Sequence, residues 1–87
     1  MSYAFVFSRT AKTDVERLDA QVQKRLRKKF EFFAACDDLF AYAEKLTDSK
    51  AGGYRIRVGD YRIIFDLAGK VATVLRVQHR RDVYRNL

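Results

Sequence analysis

The chain predicts an α+β fold with the element order β-α-α-β-β-β: an N-terminal helical hairpin packed on a small, largely antiparallel four-stranded sheet. Three observations carry that expectation. The apolar period is near 3.6 over residues 9–35 and becomes 2 over residues 54–79. The stretch "YRIRVGDYRIIF" holds two alternating runs about Gly59-Asp60, a two-residue hairpin signal. The 87 residues are 48% hydrophobic and 14% aromatic, enough for one packed domain over 1–87 and too apolar for a disordered chain.

Each element follows in order. "YAFVFS" (Tyr3–Ser8) is an apolar run of strand length. Ala11, Val15 and Leu18 recur at i, i+4 and i+7, one helical face. Asp19 is placed to cap a second helix, whose apolar face is Val22, Leu26, Phe30 and Phe33. Phe30, Phe32 and Phe33 are expected to pack inward as a helical aromatic stripe, with Cys36 a small buried hydrophobe. "KRLRKK" (Lys24–Lys29) decorates the opposite sides. "ACDDLFAYAEKL" fits either a helical turn or an irregular packed segment, and "TDSKAGG" is a loop by composition. Strands follow at about 54–58, 61–67 and 71–79.

The hairpin can be read face by face. A Gly59-Asp60 turn pairs Val58 with Tyr61, Arg57 with Arg62, Ile56 with Ile63 and Arg55 with Ile64. Tyr54, Ile56, Val58, Tyr61, Ile63 and Phe65 then share the core face, and Arg55, Arg57 and Arg62 share the other. Directly opposed like charges weaken a sheet, and solubility does not require them. An anion site explains them better than a solvated surface does. A three-residue loop at Ala68–Lys70 places Arg76 opposite Arg62 and brings Val71, Leu75 and Val77 to the core face; a two-residue loop shifts the register by one residue. In either register His79, Arg80, Arg81 and Tyr84 leave the strand beside the arginine hairpin.

Charge and composition narrow the chemistry. Residues 54–87 carry +5 of the net +7, which implies a polyanionic or acidic partner. One Cys and one His exclude an intrachain disulfide and a zinc cluster, so no metal and no cofactor is expected. Neither a signal peptide nor a run of about 18 apolar residues is present, which makes a cytoplasmic protein without membrane contact the expectation. Guanidinium groups that bind phosphate, next to a tyrosine able to stack on an unpaired base, suit RNA.

"GGYRIRVGDYRIIFDL" followed by "VLRVQHRRDVY" resembles the RelE/ParE superfamily of bacterial toxin–antitoxin toxins, in its RelE-like branch. The likeness spans nearly the whole chain, and its distinctive part is the C-terminal third. It implies a toxin that cuts mRNA in the ribosomal A site, without a metal, by attack of a 2′-hydroxyl on the adjacent phosphate. It also implies a cognate antitoxin, hence a hetero-oligomer, with ribosome and mRNA as further partners. Carried over residue by residue, Arg55 and Arg57 match two basic positions before the turn, and Arg62 matches the arginine of the next strand. Arg80 matches an arginine near the end of the last strand, and Tyr84 a tyrosine that stacks on or orients the nucleotide. His79 stands where some members have a catalytic histidine and others a lysine.

The expected catalytic set is therefore Arg57, Arg62, His79, Arg80 and Tyr84, with Arg55, Arg76, Arg81, Lys24 and Lys28 contributing to RNA binding. Arginine keeps its proton, so the general base is the gap in this set, and His79 is the one side chain there with an ordinary pKa near neutrality. Where family members use a lysine base at the Arg55 or Arg57 position, this chain departs from them. Two alternatives share the fold: a ParE-like poison of DNA gyrase without nuclease activity, and an inactive relative that only binds an antitoxin. The combined "HRRDVY" cluster favours the nuclease.

Overall fold

The computed structural model describes residues 2–47 and 53–81. Strand β1 (Ala4–Phe7) leads into helices α1 (Arg9–Glu16) and α2 (Ala20–Ala35), then a 3₁₀ turn (Leu39–Ala41) and β2 (Ala43–Lys45). The chain continues through β3 (Tyr54–Val58), β4 (Tyr61–Ala68) and β5 (Val71–His79). The sheet order is β1-β5-β4-β3-β2, with β1 parallel to β5 and the other pairs antiparallel. The fold class is the expected one, an α+β fold with a helical hairpin on a largely antiparallel sheet.

Local chemistry sets the helix limits. Ser8 caps α1 by accepting the Ala11 N–H at 3.1 Å, and Asp19 caps α2 by accepting the Val22 N–H at 2.9 Å. Between the helices, the Gln23 side-chain amide donates to the carbonyls of Val15 and Leu18, both at 2.9 Å. Those carbonyls lie at the C-terminal end of α1 and just beyond it, and the Val15 carbonyl also accepts the Leu18 N–H at 3.0 Å. Leu26 and Phe33 are buried and Phe30 packs edge-on against Phe5 and Phe7. With Ile56, Ile63, Phe65, Ala72 and Val74 they form the core between α2 and one face of the sheet. Cys36 is partly buried against the same core. Phe32 departs from the expected inward stripe: it is 49% exposed. At 100° per residue it falls well off the line through Leu26, Phe30 and Phe33.

The sheet has five strands where four were expected. The additional one, β2, comes from the "ACDDLFAYAEKL" stretch read as a turn or an irregular segment. Ala, Glu and Lys have little intrinsic strand preference. The strand exists because it pairs with the edge of β3: Ala43 with Ile56, Glu44 with Arg55 and Lys45 with Tyr54.

The β3–β4 register is the expected one, residue for residue. Gly59 turns that hairpin at φ 58°, a left-handed conformation that glycine adopts without a Cβ clash. The β4–β5 register corrects the three-residue-loop expectation. The turn is two residues long, with Ala68 opposite Val71, and Gly69 sits at φ 59°. This alternation buries Ala72 and Val74, and leaves Val71 43% exposed. Continued unbroken, it would drive Arg76 into the core and Val77 out. A bulge at Leu75 prevents that. Phe65 pairs with Val74, but Ile64 pairs with Arg76 and Ile63 with Val77. Val77 is therefore buried, Leu75 is only partly so, and Arg76 lies opposite Ile64 rather than Arg62. Gln78 takes the place opposite Arg62.

Candidate functional site

The helices cover one face of the sheet and leave the other to the arginines. Cross-strand pairing gives two adjacent rows on the open face: Glu44, Arg55, Ile64 and Arg76, then Arg57, Arg62 and Gln78. Arg57 and Arg62 stand directly opposite each other, as the alternation of "YRIRVGDYRIIF" requires.

These arginines are not equivalent. Arg55 hydrogen-bonds the Glu44 carboxylate, and its side chain is only 25% exposed. Arg57 is 56% exposed and lies 3.6 Å from the other Glu44 oxygen. Arg62 donates to the carbonyls of Gly59 and Tyr61, both at 3.2 Å, and has no acidic partner among the described residues. Arg76 turns to the edge of the sheet, where its Nε donates to Asp14 at 2.9 Å. The cationic surface open to a ligand is thus centred on Arg57 and Arg62, with Arg55 and Arg76 held at its margins.

Glu44 is the site residue that the sequence did not reveal. Its carboxyl is held below the usual carboxylate range, first by the hydrogen bond from Arg55, then by the charge of Arg57, with smaller help from Arg62. It is a carboxylate at neutral pH, on the same face as Arg55, Arg57 and Arg62. Its only signal in the sequence is the alternation of "AYAEK", too short and too poor in β-branched residues to mark a strand.

The end of β5 meets the hairpin tip. The Arg80 N–H donates to the Asp60 carbonyl at 2.7 Å, which fastens the strand end to the turn. Asp60, His79, Arg80 and Arg81 line a cleft of about 410 Å³ there. Arg80 and Arg81 are exposed. His79 pairs with Tyr61 and packs edge-on against its ring at 5.2 Å, so it belongs to the helix-side row of Val58 and Tyr61 rather than to the arginine face. Its Nδ1 accepts the Arg81 N–H at 3.1 Å, and the neutral ring therefore carries its proton on Nε2.

Tyr84 lies outside the described residues. Lys24 and Lys28 are exposed on α2, two residues before and after the buried Leu26, on the side of the helix away from the sheet. The fold does not bring them to the arginine face. Arg25 instead reaches the hairpin tip: a methyl group at Gly59 would meet its Nη2 at 3.9 Å. Among the described residues no cluster of three or more His, Cys, Asp or Glu side chains could hold a metal ion, and no helix is long and apolar enough to cross a membrane.

Comparison with known proteins decides the family. The family model for the ParE toxin of the type II toxin–antitoxin system parDE matches residues 5–84. The chain belongs to the RelE/ParE toxin superfamily. Within it, the relatives place the chain in the RelE-like branch. Toxin RelG of Mycobacterium tuberculosis is 30% identical over 87 residues, covering 98% of this chain and 99% of the relative. Among solved structures, the toxin–antitoxin complex RelBE2 of Mycobacterium tuberculosis superposes with a TM-score of 0.76 at 24% identity, over 92% of this chain and 100% of that one. The RelB–RelE antitoxin–toxin complex of Methanococcus jannaschii gives 0.73 at 26% identity, over 94% and 98%. Both of those structures are complexes with an antitoxin. The arginine face thus sits on a RelE/ParE toxin scaffold.

Proposed function

We propose that this RelE-like toxin is a ribosome-dependent endoribonuclease that cuts mRNA in the A site and is held inactive by a cognate antitoxin. The observation that carries this reading is the directly opposed Arg57–Arg62 pair beside the Glu44 carboxylate. In the reaction the 2′-hydroxyl attacks the adjacent phosphorus and the bond to the 5′ oxygen breaks. A 2′,3′-cyclic phosphate and a 5′-hydroxyl remain. One proton must leave the 2′ oxygen and one must reach the 5′ oxygen.

Negative charge grows on the phosphorane and on the leaving oxygen. Fixed cations aimed at that charge supply a large share of catalysis, and Arg57, Arg62 and Arg80 are assigned this role. We assign Glu44 the proton from the 2′-hydroxyl. A carboxylate accepts several hydrogen bonds at once, so holding Arg55 leaves capacity for a hydroxyl. Its lowered pKa keeps it ionised but makes it a weak base, and the neighbouring cations must carry most of the stabilisation. Water at the site supplies the proton that reaches the 5′ oxygen; His79, in the cleft with Arg80 and Arg81, is assigned a positioning contact at the strand end, and Tyr84 is assigned base stacking. Arg55, Arg76 and Arg81 add affinity for phosphate, with Lys24 and Lys28 reserved for ribosomal RNA on the far side of α2.

Primer extension on a translated mRNA after induction tests the reading. Cuts at A-site codons are expected, together with copurification of the toxin with the product of the neighbouring small open reading frame. Intact mRNA with SOS induction would replace it with poisoning of DNA gyrase.

A further inference from the structure

Strand β1 ends at Phe7, and its pairing with β5 stops at Val74. Beyond that point β5 has no strand on this side among the described residues. Backbone donors and acceptors left open at a half-buried edge are costly. The backbone and side chain of Ser8, which caps α1, and the side chain of Asp14 in α1 replace the missing strand. The Ser8 N–H donates to the Val74 carbonyl at 2.9 Å and its hydroxyl donates to the Leu75 carbonyl at 3.2 Å. Asp14 Oδ2 accepts the Val77 N–H at 2.9 Å and Arg76 Nε at 2.9 Å, while Oδ1 accepts Arg76 Nη2 at 3.3 Å.

These contacts bracket the bulge. Ser8 holds the carbonyl of Leu75, the additional residue, and Asp14 holds the two residues that follow it. Without the bulge Arg76 would oppose Ile63 in the core, and every later residue of β5 would change face. Asp14 favours the bulged register in two ways. It binds the Val77 N–H that this register presents, and it gives Arg76 a carboxylate outside the core. The Asp14 side chain is only 11% exposed, and its charge is compensated by Arg76.

We infer that Asp14 is a positioning residue for the arginine site: it locks the bulge and so fixes the face from which Arg80 leaves β5. It touches no substrate. The inference rests on the nuclease reading for its effect on rate, but the lock itself has a signature that needs no RNA. The Arg80 N–H bonded to Asp60 reports whether the strand end is held against the hairpin tip.

The test compares Asp14→Ala and Asp14→Asn with the unaltered toxin. Single-turnover cleavage on programmed ribosomes is measured at saturating and limiting toxin, and exchange of the Arg80 amide is followed by NMR. Asp14→Ala is expected to lower the saturating rate about 10-fold or more. The half-saturating concentration should move less than about threefold, the pattern of a lost positioning contact. Asp14→Asn keeps an acceptor for Val77 and should recover most of that rate. Arg80 amide protection should fall in step with rate in each variant. Protection lost with rate intact, rate lost with protection intact, or neither changed would overturn the inference. If Asp14→Ala does not fold, the same comparison on Asp14→Asn decides. If the unaltered toxin fails to cleave, the nuclease reading falls, and the exchange measurement still judges the lock.

Discussion

Replacing Arg62 with glutamine is expected to move stability and activity in opposite directions. Arg62 faces Arg57 directly across β3 and β4. Like charges so placed destabilise a sheet by roughly 0.2–1 kcal/mol. Glutamine removes the charge and keeps amide donors for the Gly59 and Tyr61 carbonyls that Arg62 now binds. Glu44 loses little, because Arg62 is the last of the influences on it and the Arg55 hydrogen bond is the first. The fold should therefore be as stable as before or more stable by about 0.2–1 kcal/mol, a rise of roughly 1–8 °C in Tm for a domain of this size. Salt screens the repulsion, so the gap between variant and wild type should narrow as ionic strength rises. Catalysis should fall by about 100-fold or more, roughly 2.7 kcal/mol, because a cation is lost where charge develops. Thermal denaturation at low and high salt gives the first quantity, and single-turnover cleavage on programmed ribosomes gives the second. A variant more than about 1 kcal/mol less stable than wild type would refute the repulsion. One that cleaves at the wild-type rate would refute the site.

Further predictions concern the neighbours of this pair. If Glu44 takes the proton, the pH–rate profile should stay flat through neutrality and fall only in acid, below the usual carboxylate range, since its folded pKa is lowered. Glu44→Gln should abolish that acid limb and slow cleavage; a limb that survives in Glu44→Gln and vanishes in His79→Gln would return the role to His79. Arg57→Ala should reduce the salt slope of RNA binding by about one, whereas Arg76→Ala, whose guanidinium is bound to Asp14, should change it less; the reverse order in a salt titration would contradict the open face described here. Phe65 is fully buried, and Phe65→Ala should cost about 3–5 kcal/mol, measured by urea unfolding.

The sequence determined the parts of the molecule whose physics is local. Ser8 and Asp19 cap helices whose apolar faces recur at helical spacing, and both helices form where that spacing runs. The β3–β4 register follows from a two-residue turn with a glycine at positive φ, so Arg57 and Arg62 were already opposed on paper. Other features depended on contacts between distant residues. Strand β2 forms from residues of weak strand preference because an edge of β3 stands open beside it, and only that pairing brings Glu44 to the arginines. The bulge at Leu75 turns on whether Arg76 or Val77 enters the core, a choice settled by packing and by Asp14, 62 residues from Arg76 in the chain. His79 follows from that register: it pairs with Tyr61 on the helix-side row, whereas without the additional residue in β5 Gln78 would take that place and His79 would share the face of Arg62.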